Sequence, residues 1–387
     1  MLKIAIVTRK MITGGVEKAL IAMLKKFDYT DISVDLFLQS GGGELFQDIP
    51  EEILVNILQS PGLTDVYRHP GMSIKKGITM FRMRREENSY LEQNILSSDM
   101  LFPINKEYDI AIAYHAPNTV PVFFVIDKMR AKKKVLWLHG DLETNGGCDE
   151  KALRYYRQYD QVFAVSRNVY NSFVQNCPDR KNNIQLFYNF VDLEGIMESA
   201  ENGETFQDGF TGLKILTIGR LNEQKGIDIA INACRKLVDT GYNIRWYVCG
   251  DGDDRKMLEQ MIIDNSLAEH FILLGNQRNP FGYLKYCDLY VQPSRYEGYC
   301  TTTNEARMLG KPVITTEVSG AREQFIDKKT GWITAISEDS LFERICWCIN
   351  HPDEVKQVVN RMNEAIQKDI NSKDHPLNEL LHIGDSK

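Results

Sequence analysis

The sequence predicts an α/β protein made of two tandem units, and three observations carry that prediction. Short apolar runs alternate with segments of helical period from end to end, as parallel sheets with helices on both faces require. At 387 residues the chain is long for one core, and two domains of roughly 150 to 200 residues each are expected. Between the two series of runs, Glu194 to Gly212 is rich in Glu, Gly, Ser, Thr and Asn and poor in large apolar residues, which reads as a surface linker or hinge.

In the first half, strands are predicted near Lys3–Val7, Ser33–Leu38, Ile53–Ile57, Asp109–Ala113, Val135–Leu138, Gln161–Val165 and Gln185–Phe187. The clearest helix runs from Gly15 to about Phe27, with Val16, Leu20, Met23, Leu24 and Phe27 on one apolar face. In the second half, Leu213–Ile218, Arg245–Cys249, Phe271–Leu274, Leu289–Gln292 and Val313–Thr315 repeat the strand pattern. Helices are predicted over Thr302–Leu309, Ser340–Ile349 and from Asp353 to about Ile370, and the domain boundary falls near residue 192.

Composition narrows the function. Apolar residues make up 43% and charged residues 26%, as in a globular enzyme, and a net charge of −7 argues against a general nucleic-acid binder. The amino-terminal apolar run is broken at both ends by charge and is too short for a signal peptide or a membrane span, so a cytoplasmic protein is expected. The eight cysteines are scattered, with neither a CxxC pair nor a zinc-ligand spacing, and read as reduced thiols.

The segment Glu297-Gly-Tyr-Cys-Thr-Thr-Thr-Asn-Glu305 places two carboxylates around a hydroxyl-rich turn where a strand hands over to a helix. The free N–H groups of such a helix's first turn, with the positive end of its dipole, suit a phosphate. Earlier, Arg220 and Lys225 stand on one loop between Gly219 and Gly226, after a predicted strand. A planar fork of donors and a mobile ammonium can together clamp a diphosphate, whereas two solvated surface charges are the plainer reading. Gly14-Gly15 opens the first helix as an anion site or as a simple tight turn, and the full GxGxxG of a dinucleotide site is missing. Gly250-Asp251-Gly252 reads as a turn rather than as a metal motif with Asp253. On spacing alone His139 is as readily a structural histidine as a functional one, and Asp141 and Glu143 read as exposed acids at a loop or helix start rather than as acceptor-side contacts. Cys300 has no obvious base nearby and reads as a small space-filling residue rather than a nucleophile.

Taken together, Gly219-Arg220-Leu221 with Lys225-Gly226, Gly250-Asp251-Gly252, Pro293-Ser294 with Glu297-Gly298, Glu305-Ala306 and Gly310-Lys311-Pro312-Val313 resemble a retaining glycosyltransferase of family 4, of glycosyl transferase group 1. Gly14-Gly15 with Glu17, Leu138-His139-Gly140, Val165-Ser166 and Tyr188-Asn189-Phe190-Val191-Asp192 resemble that family as well. The resemblance implies a GT-B architecture, two Rossmann-like domains facing across a cleft: an acceptor-side domain at 1–192, a nucleotide-sugar donor domain at 193–365, and a segment at 366–387 packing back on the first domain. It implies that Glu305 holds the ribose hydroxyls and that Arg220 and Lys225 hold the diphosphate. Glu297 and the backbone of Gly298, Tyr299, Cys300 and Thr301 would contact sugar and phosphate, with Gly14, Gly15 and Gly250 beside the donor. His139 and Gly15 would approach the sugar and the distal phosphate from the first domain. The chain departs from the commonest pattern of the family at Gly298-Tyr299-Cys300-Thr301, where many relatives carry Gly-Phe-Gly-Leu, and at Val318-Ser319-Gly320-Ala321-Arg322-Glu323, where they carry a Gly-Gly pair. Donor choice is therefore left open and is expected to be settled at Tyr299-Cys300-Thr301.

The expected function is transfer of a hexosyl unit from a nucleoside diphosphate sugar, with UDP favoured, to a saccharide or lipid-linked saccharide acceptor, with retention of configuration. No metal and no cofactor are expected, because the cationic groups and the helix terminus meet the charge of the leaving diphosphate. Surface or capsular polysaccharide biosynthesis is the expected setting. A nucleotide-sugar epimerase, a sugar phosphorylase or a non-catalytic nucleotide-sugar-binding assembly protein are the rival readings, since fold does not fix function. The basic stretch Arg68–Arg85, with Lys128–Lys134, reads equally as a solvated face and as a peripheral contact with the inner face of a membrane, where each Lys or Arg contributes ~1 kcal/mol.

Overall fold

A computed structural model of the chain describes residues 1–12, 14–58 and 89–370. The basic stretch Arg68–Arg85 and the apolar segment 376–383 lie outside the described residues. The chain divides into two compact units, one from Met1 to Phe190 and one that begins at Val191.

The first unit contains strands β1 (Leu2–Thr8), β2 (Ile32–Leu38), β3 (Leu54–Ile57), β4 (Ile104–Ala116), β5 (Met129–Leu138), β6 (Gln161–Ala164) and β7 (Ile184–Leu186). Helices α1 (Gly15–Leu24), α2 (Tyr90–Asp99), α3 (Val120–Lys128), α4 (Glu150–Tyr156) and α5 (Arg167–Asn176) connect them. All neighbouring strands pair in parallel, in the order β3-β2-β1-β4-β5-β6-β7, with Ile4 opposite both Val34 and Ile110. The central strands are apolar on both faces, as a sheet covered by helices on each side requires. Strands β4 and β5 extend beyond the predicted cores to take in Lys106, Glu107, Arg130 and Lys132, whose charges hid them from a hydrophobic pattern.

The second unit contains β8 (Leu213–Ile218), β9 (Ile244–Cys249), β10 (Phe271–Gly275), β11 (Leu289–Gln292), β12 (Val313–Thr316) and β13 (Trp332–Thr334), again parallel, in the order β10-β9-β8-β11-β12-β13. Its helices are α6 (Leu193–Asn202), α7 (Ile227–Asp239), α8 (Arg255–Asp264), α9 (Phe281–Tyr286), α10 (Thr301–Met308), α11 (Ala321–Gln324), α12 (Glu338–Asn350) and α13 (Pro352–Ile370). One core, around Trp246 and Trp332, packs α7 and α12 on one face of the sheet. The other gathers Tyr290, Ala306 and, from α13, Met362 and Ile366 on the opposite face. Helix α13 thus passes unbroken through residue 365 and packs on its own unit, while residues 371–387 lie outside the described ones.

The linker expected from Glu194 to Gly212 is corrected in its first half, where α6 forms. Asp192 caps it, accepting from the backbone N–H of Gly195 at 3.1 Å, and Ile196 and Ala200, four residues apart, turn its one apolar stripe inward. A helix with so narrow an apolar face is easily mistaken for polar loop.

The strand order of each sheet reverses at its middle: β1 and β8 each have the strands next in sequence on one side and later ones, from β4 and from β11, on the other. In an open parallel sheet the loops leaving such a pair diverge and open a crevice at the carboxyl ends of the strands. In the second unit the two loops are instead sewn to each other by Gly226. Its φ of +63° lies in the left-handed region, and a Cβ there would collide with the carbonyl oxygen of Pro293. Gly226→Ala is expected to destabilise the protein by roughly 3 kcal/mol, through strain plus collision, against about 1 kcal/mol for Gly241→Ala, where the left-handed backbone faces open space. Urea unfolding of both variants checks this; equal losses would show that the approach to Pro293 is not limiting.

Candidate functional site

The candidate site of the second unit lies at the carboxyl ends of β8 and β11. Leaving β8, Gly219 leads into Arg220 and the short turn Glu223–Lys225, and Asn222 caps this turn by accepting from Lys225 N–H at 3.3 Å. Leaving β11, Pro293 to Cys300 leads into α10. The β8 and β11 loops are joined at several points. Arg295 grips Asp228 with both terminal nitrogens at 2.8 and 2.6 Å, its N–H donates to Gln224 O at 2.8 Å, and Gln224 Nε2 donates to Tyr296 O at 3.1 Å.

Inside this seam, Lys225 Nζ lies 2.6 Å from Glu297 Oε1, with both side chains largely withdrawn from solvent. Burial works against the Lys225 ammonium, but the Glu297 carboxylate overrides it and holds Lys225 above its usual range. Arg220, by contrast, is exposed and makes no ion pair among the described residues. Glu305 sits buried on α10, whereas Glu297 lies in the loop that precedes that helix. The structure therefore assembles Lys225 and Glu297 into one contact, places Arg220 on the same loop, and sets Glu305 in the helix whose amino terminus opens beside them. Gly250 supports the arrangement from β9: its φ is +152°, and a side chain there would strike the carbonyl of Gly219.

Residues 206–369 match the family model described as glycosyl transferases, group 1. The second unit belongs to that family. Among relatives, the N-acetylgalactosamine-N,N'-diacetylbacillosaminyl-diphospho-undecaprenol 4-alpha-N-acetylgalactosaminyltransferase of Campylobacter jejuni is 28% identical over 190 residues, covering 49% of this chain and 50% of its own. The amylovoran biosynthesis glycosyltransferase AmsK of Erwinia amylovora is 28% identical over 219 residues, covering 53% and 52%. The chain spans about half the length of these curated relatives. The whole chain shares its fold with Anabaena HepE, solved with UDP and glucose, at a TM-score of 0.70 and 20% identity over 95% of each chain. The GT-B fold expected from the sequence is the fold of this protein.

Within the second unit, the two segments that depart from the commonest family pattern meet. Ser319 Oγ donates to Gly298 O at 3.0 Å, and Gly320, in the left-handed region, lies against the Tyr299 ring. Gln324 Nε2 donates to Cys300 O at 2.9 Å while its Oε1 accepts from the Thr303 hydroxyl at 2.7 Å. Gln324 and Gln292 are site residues that sequence reasoning did not single out, and Ser294 entered it only within the Pro293-Ser294 motif, with no role given. Their signal was weak: neutral polar residues carry no charge pattern, and only the fold shows that all three are buried. Cys300 is buried, and burial, with Glu297 adding to it, pushes its thiol above the ordinary range, so it is held as a thiol and not as a thiolate. Thr301 begins α10.

The other predicted residues belong to the first unit. Gly14 precedes α1 in an extended conformation that any residue adopts, and Gly15 is the first residue of that helix. His139 follows β5 and packs on the buried Tyr114 ring at 4.7 Å, with His115 at 6.4 Å. Its two ring nitrogens are shielded from solvent, and the Tyr114 backbone partly offsets the effect of burial on the ring. Across β4, His115 Nδ1 lies 3.8 Å from the buried Glu17 of α1. Asp141 is buried rather than exposed, because its carboxylate closes a turn by accepting from the N–H and hydroxyl of Thr144 at 2.8 and 2.7 Å. Glu143 is exposed and ties this loop to α5 through Ser172 and Asn176.

Burial holds the His139 imidazole well below its ordinary range, and His115 adds to the effect. As pH falls below about 6.5 the unfolded chain takes up a proton that the folded site refuses, so stability is lost with acid, by up to about 1.4 kcal/mol per pH unit. Urea titrations at neutral and mildly acidic pH should show this slope in the native protein and a shallower one in His139→Phe; equal slopes would mean that His139 titrates normally.

Proposed function

We propose that the protein is a hexosyl-type glycosyltransferase that moves a sugar from a nucleoside diphosphate donor, with UDP favoured, to a hydroxyl of a saccharide or lipid-linked saccharide acceptor. The observation that carries this reading is the Lys225–Glu297 contact, with Arg220 on the same loop, at the amino-terminal opening of α10. Two cationic side chains and a turn of free N–H groups meet where a diphosphate's charge would lie. That UDP is the nucleotide is supported by the shared fold with HepE, which binds it. An acceptor on a surface or capsular polysaccharide, or on its lipid-linked precursor, is supported by the activities for which the Campylobacter and Erwinia relatives are named.

In the proposed reaction, Arg220 and Lys225 hold the diphosphate and neutralise it as it departs, while Glu305 accepts hydrogen bonds from the ribose hydroxyls. These fixed cations do the work for which a divalent metal would otherwise be required. When Lys225 turns toward phosphate, Glu297 is left beside the sugar end, with Gly298 to Thr301 supplying backbone contacts. Glu305 is taken up by ribose and Cys300 is held as a thiol, so neither serves as a nucleophile; a front-face transfer with retention is the mechanism that the family resemblance suggests. Gly14, Gly15 and the neutral His139 are proposed to offer backbone and imidazole hydrogen bonds at the strand ends of the first unit. No helix among the described residues is long and apolar enough to cross a membrane. A peripheral contact with the inner membrane face remains part of the proposal.

A thermal-shift screen of nucleoside diphosphates and their sugars tests the donor. A true ligand at a hundredfold excess over its Kd stabilises the folded protein by about 2.7 kcal/mol. The shift is expected to be largest for a UDP-sugar and to be lost in Arg220→Ala and Glu305→Ala. Donor turnover that survives both substitutions would overturn the assignment.

A further inference from the structure

The polar groups behind Glu297 form a row of hydrogen bonds whose direction the carboxylate dictates. Ser294 and Gln292, at the end of β11, are both fully buried. Ser294 Oγ is 2.6 Å from Glu297 Oε1, the same oxygen that takes Lys225 Nζ at 2.6 Å. A carboxylate oxygen in a salt bridge only accepts, so Ser294 gives its single hydrogen there and must itself accept from Gln292 Nε2, 2.9 Å away. This orients the Gln292 amide. Its Oε1 therefore accepts from the hydroxyls of Tyr290 at 2.6 Å and of Thr302 at 3.1 Å. With the Thr302 hydrogen so committed, the Cys300 thiol is the donor in its 3.3 Å contact with Thr302 Oγ1. The reversed amide would force Ser294 to donate to glutamine and turn its lone pairs on the carboxylate.

One directed row thus runs from Cys300, just before α10, through Thr302, Gln292 and Ser294 to Glu297 and Lys225. We propose that Gln292 is a positioning residue: it aims the Ser294 hydroxyl, fixes the Glu297 carboxylate beside Lys225, and ties that pair to the first turn of α10. For its effect on turnover the inference rests on the donor reading above. When a diphosphate draws Lys225 away, the Ser294 bond is what keeps Glu297 in place, so losing Gln292 lowers kcat far more than it weakens nucleotide binding.

Two substitutions test this, because a buried glutamine that merely fills space predicts a different result. Gln292→Met keeps the shape and removes the bonds. Gln292→Glu rebuilds the row while the introduced carboxyl is protonated, donating to Ser294 and accepting from Tyr290 and Thr302, and breaks it on ionisation. The groups around it are Lys225 and Arg220 on the β8 loop, Glu297 and Cys300 on the β11 loop, Tyr290 on β11 and Glu305 on α10. UDP affinity, UDP release from UDP-glucose, and melting without nucleotide are measured from about pH 5 to pH 9, across which a buried glutamate titrates. Gln292→Met should release UDP roughly ten- to a hundredfold more slowly than the native protein at every pH, with UDP affinity within about threefold. Gln292→Glu should approach native turnover and melting at the acid end and lose both toward the alkaline end. Gln292→Glu turnover that parallels the native pH profile overturns the inference, as does Gln292→Met turnover equal to native or a fall in kcat matched by an equal fall in UDP affinity. A native protein that neither binds UDP nor cleaves UDP-glucose refutes the donor reading instead. In that case the melting curves decide alone: a Gln292→Glu deficit that grows with pH supports the row, and a constant one overturns it.

Discussion

The second unit depends on one constraint, the closure of the two loops that leave β8 and β11. Left to themselves these loops diverge, because the chain continues to opposite sides of the sheet. Here Gly226 lets backbone meet backbone at Pro293, Arg295 locks onto Asp228, and Lys225 reaches Glu297. A like arrangement of unpaired cations would repel itself. The glutamate makes the approach of a partly buried lysine affordable and leaves Arg220 as the exposed charge at the rim.

The same closure explains why the polar interior of this sheet edge is stable. Glu297, Ser294 and Gln292 are buried, and each would be costly without partners. The row they form satisfies them in turn, ending in the salt bridge on one side and in α10 on the other. Thr316, from β12, adds a bond from its hydroxyl to Ser294 O at 2.5 Å, so that even the backbone of the row is held by the neighbouring strand.

Much of this was legible in the sequence. The apolar runs located most strands to within a residue or two, since helices cover both faces of each sheet, but they showed only the apolar cores of β4 and β5, whose charged ends carry no hydrophobic pattern. Arg220, Lys225 and Glu297 stood out as charges beside glycine at strand ends, and Glu305 as the second carboxylate of the 297–305 segment, within the predicted helix. Three things were hidden. Helix α6 has too narrow an apolar stripe to announce itself, and β13 is only three residues long, Trp332–Thr334. Gln292 was counted as the last residue of a strand, because the partners that make it informative, Thr302 and Ser294, become its neighbours only when β11 turns into α10. Local pattern reveals elements and charged clusters; it does not reveal which neutral polar groups will share hydrogens.

The bond from Gln324 to the Cys300 carbonyl, and that from Ser319 to the Gly298 carbonyl, bear on how such a protein diversifies. The loop that carries Tyr299, Cys300 and Thr301 is moulded by a second segment some twenty residues downstream. The two behave as one inherited cassette: exchange of the loop alone between relatives would leave its carbonyls facing a foreign partner, whereas moving residues 297–303 together with 318–324 transfers the mould along with the cast.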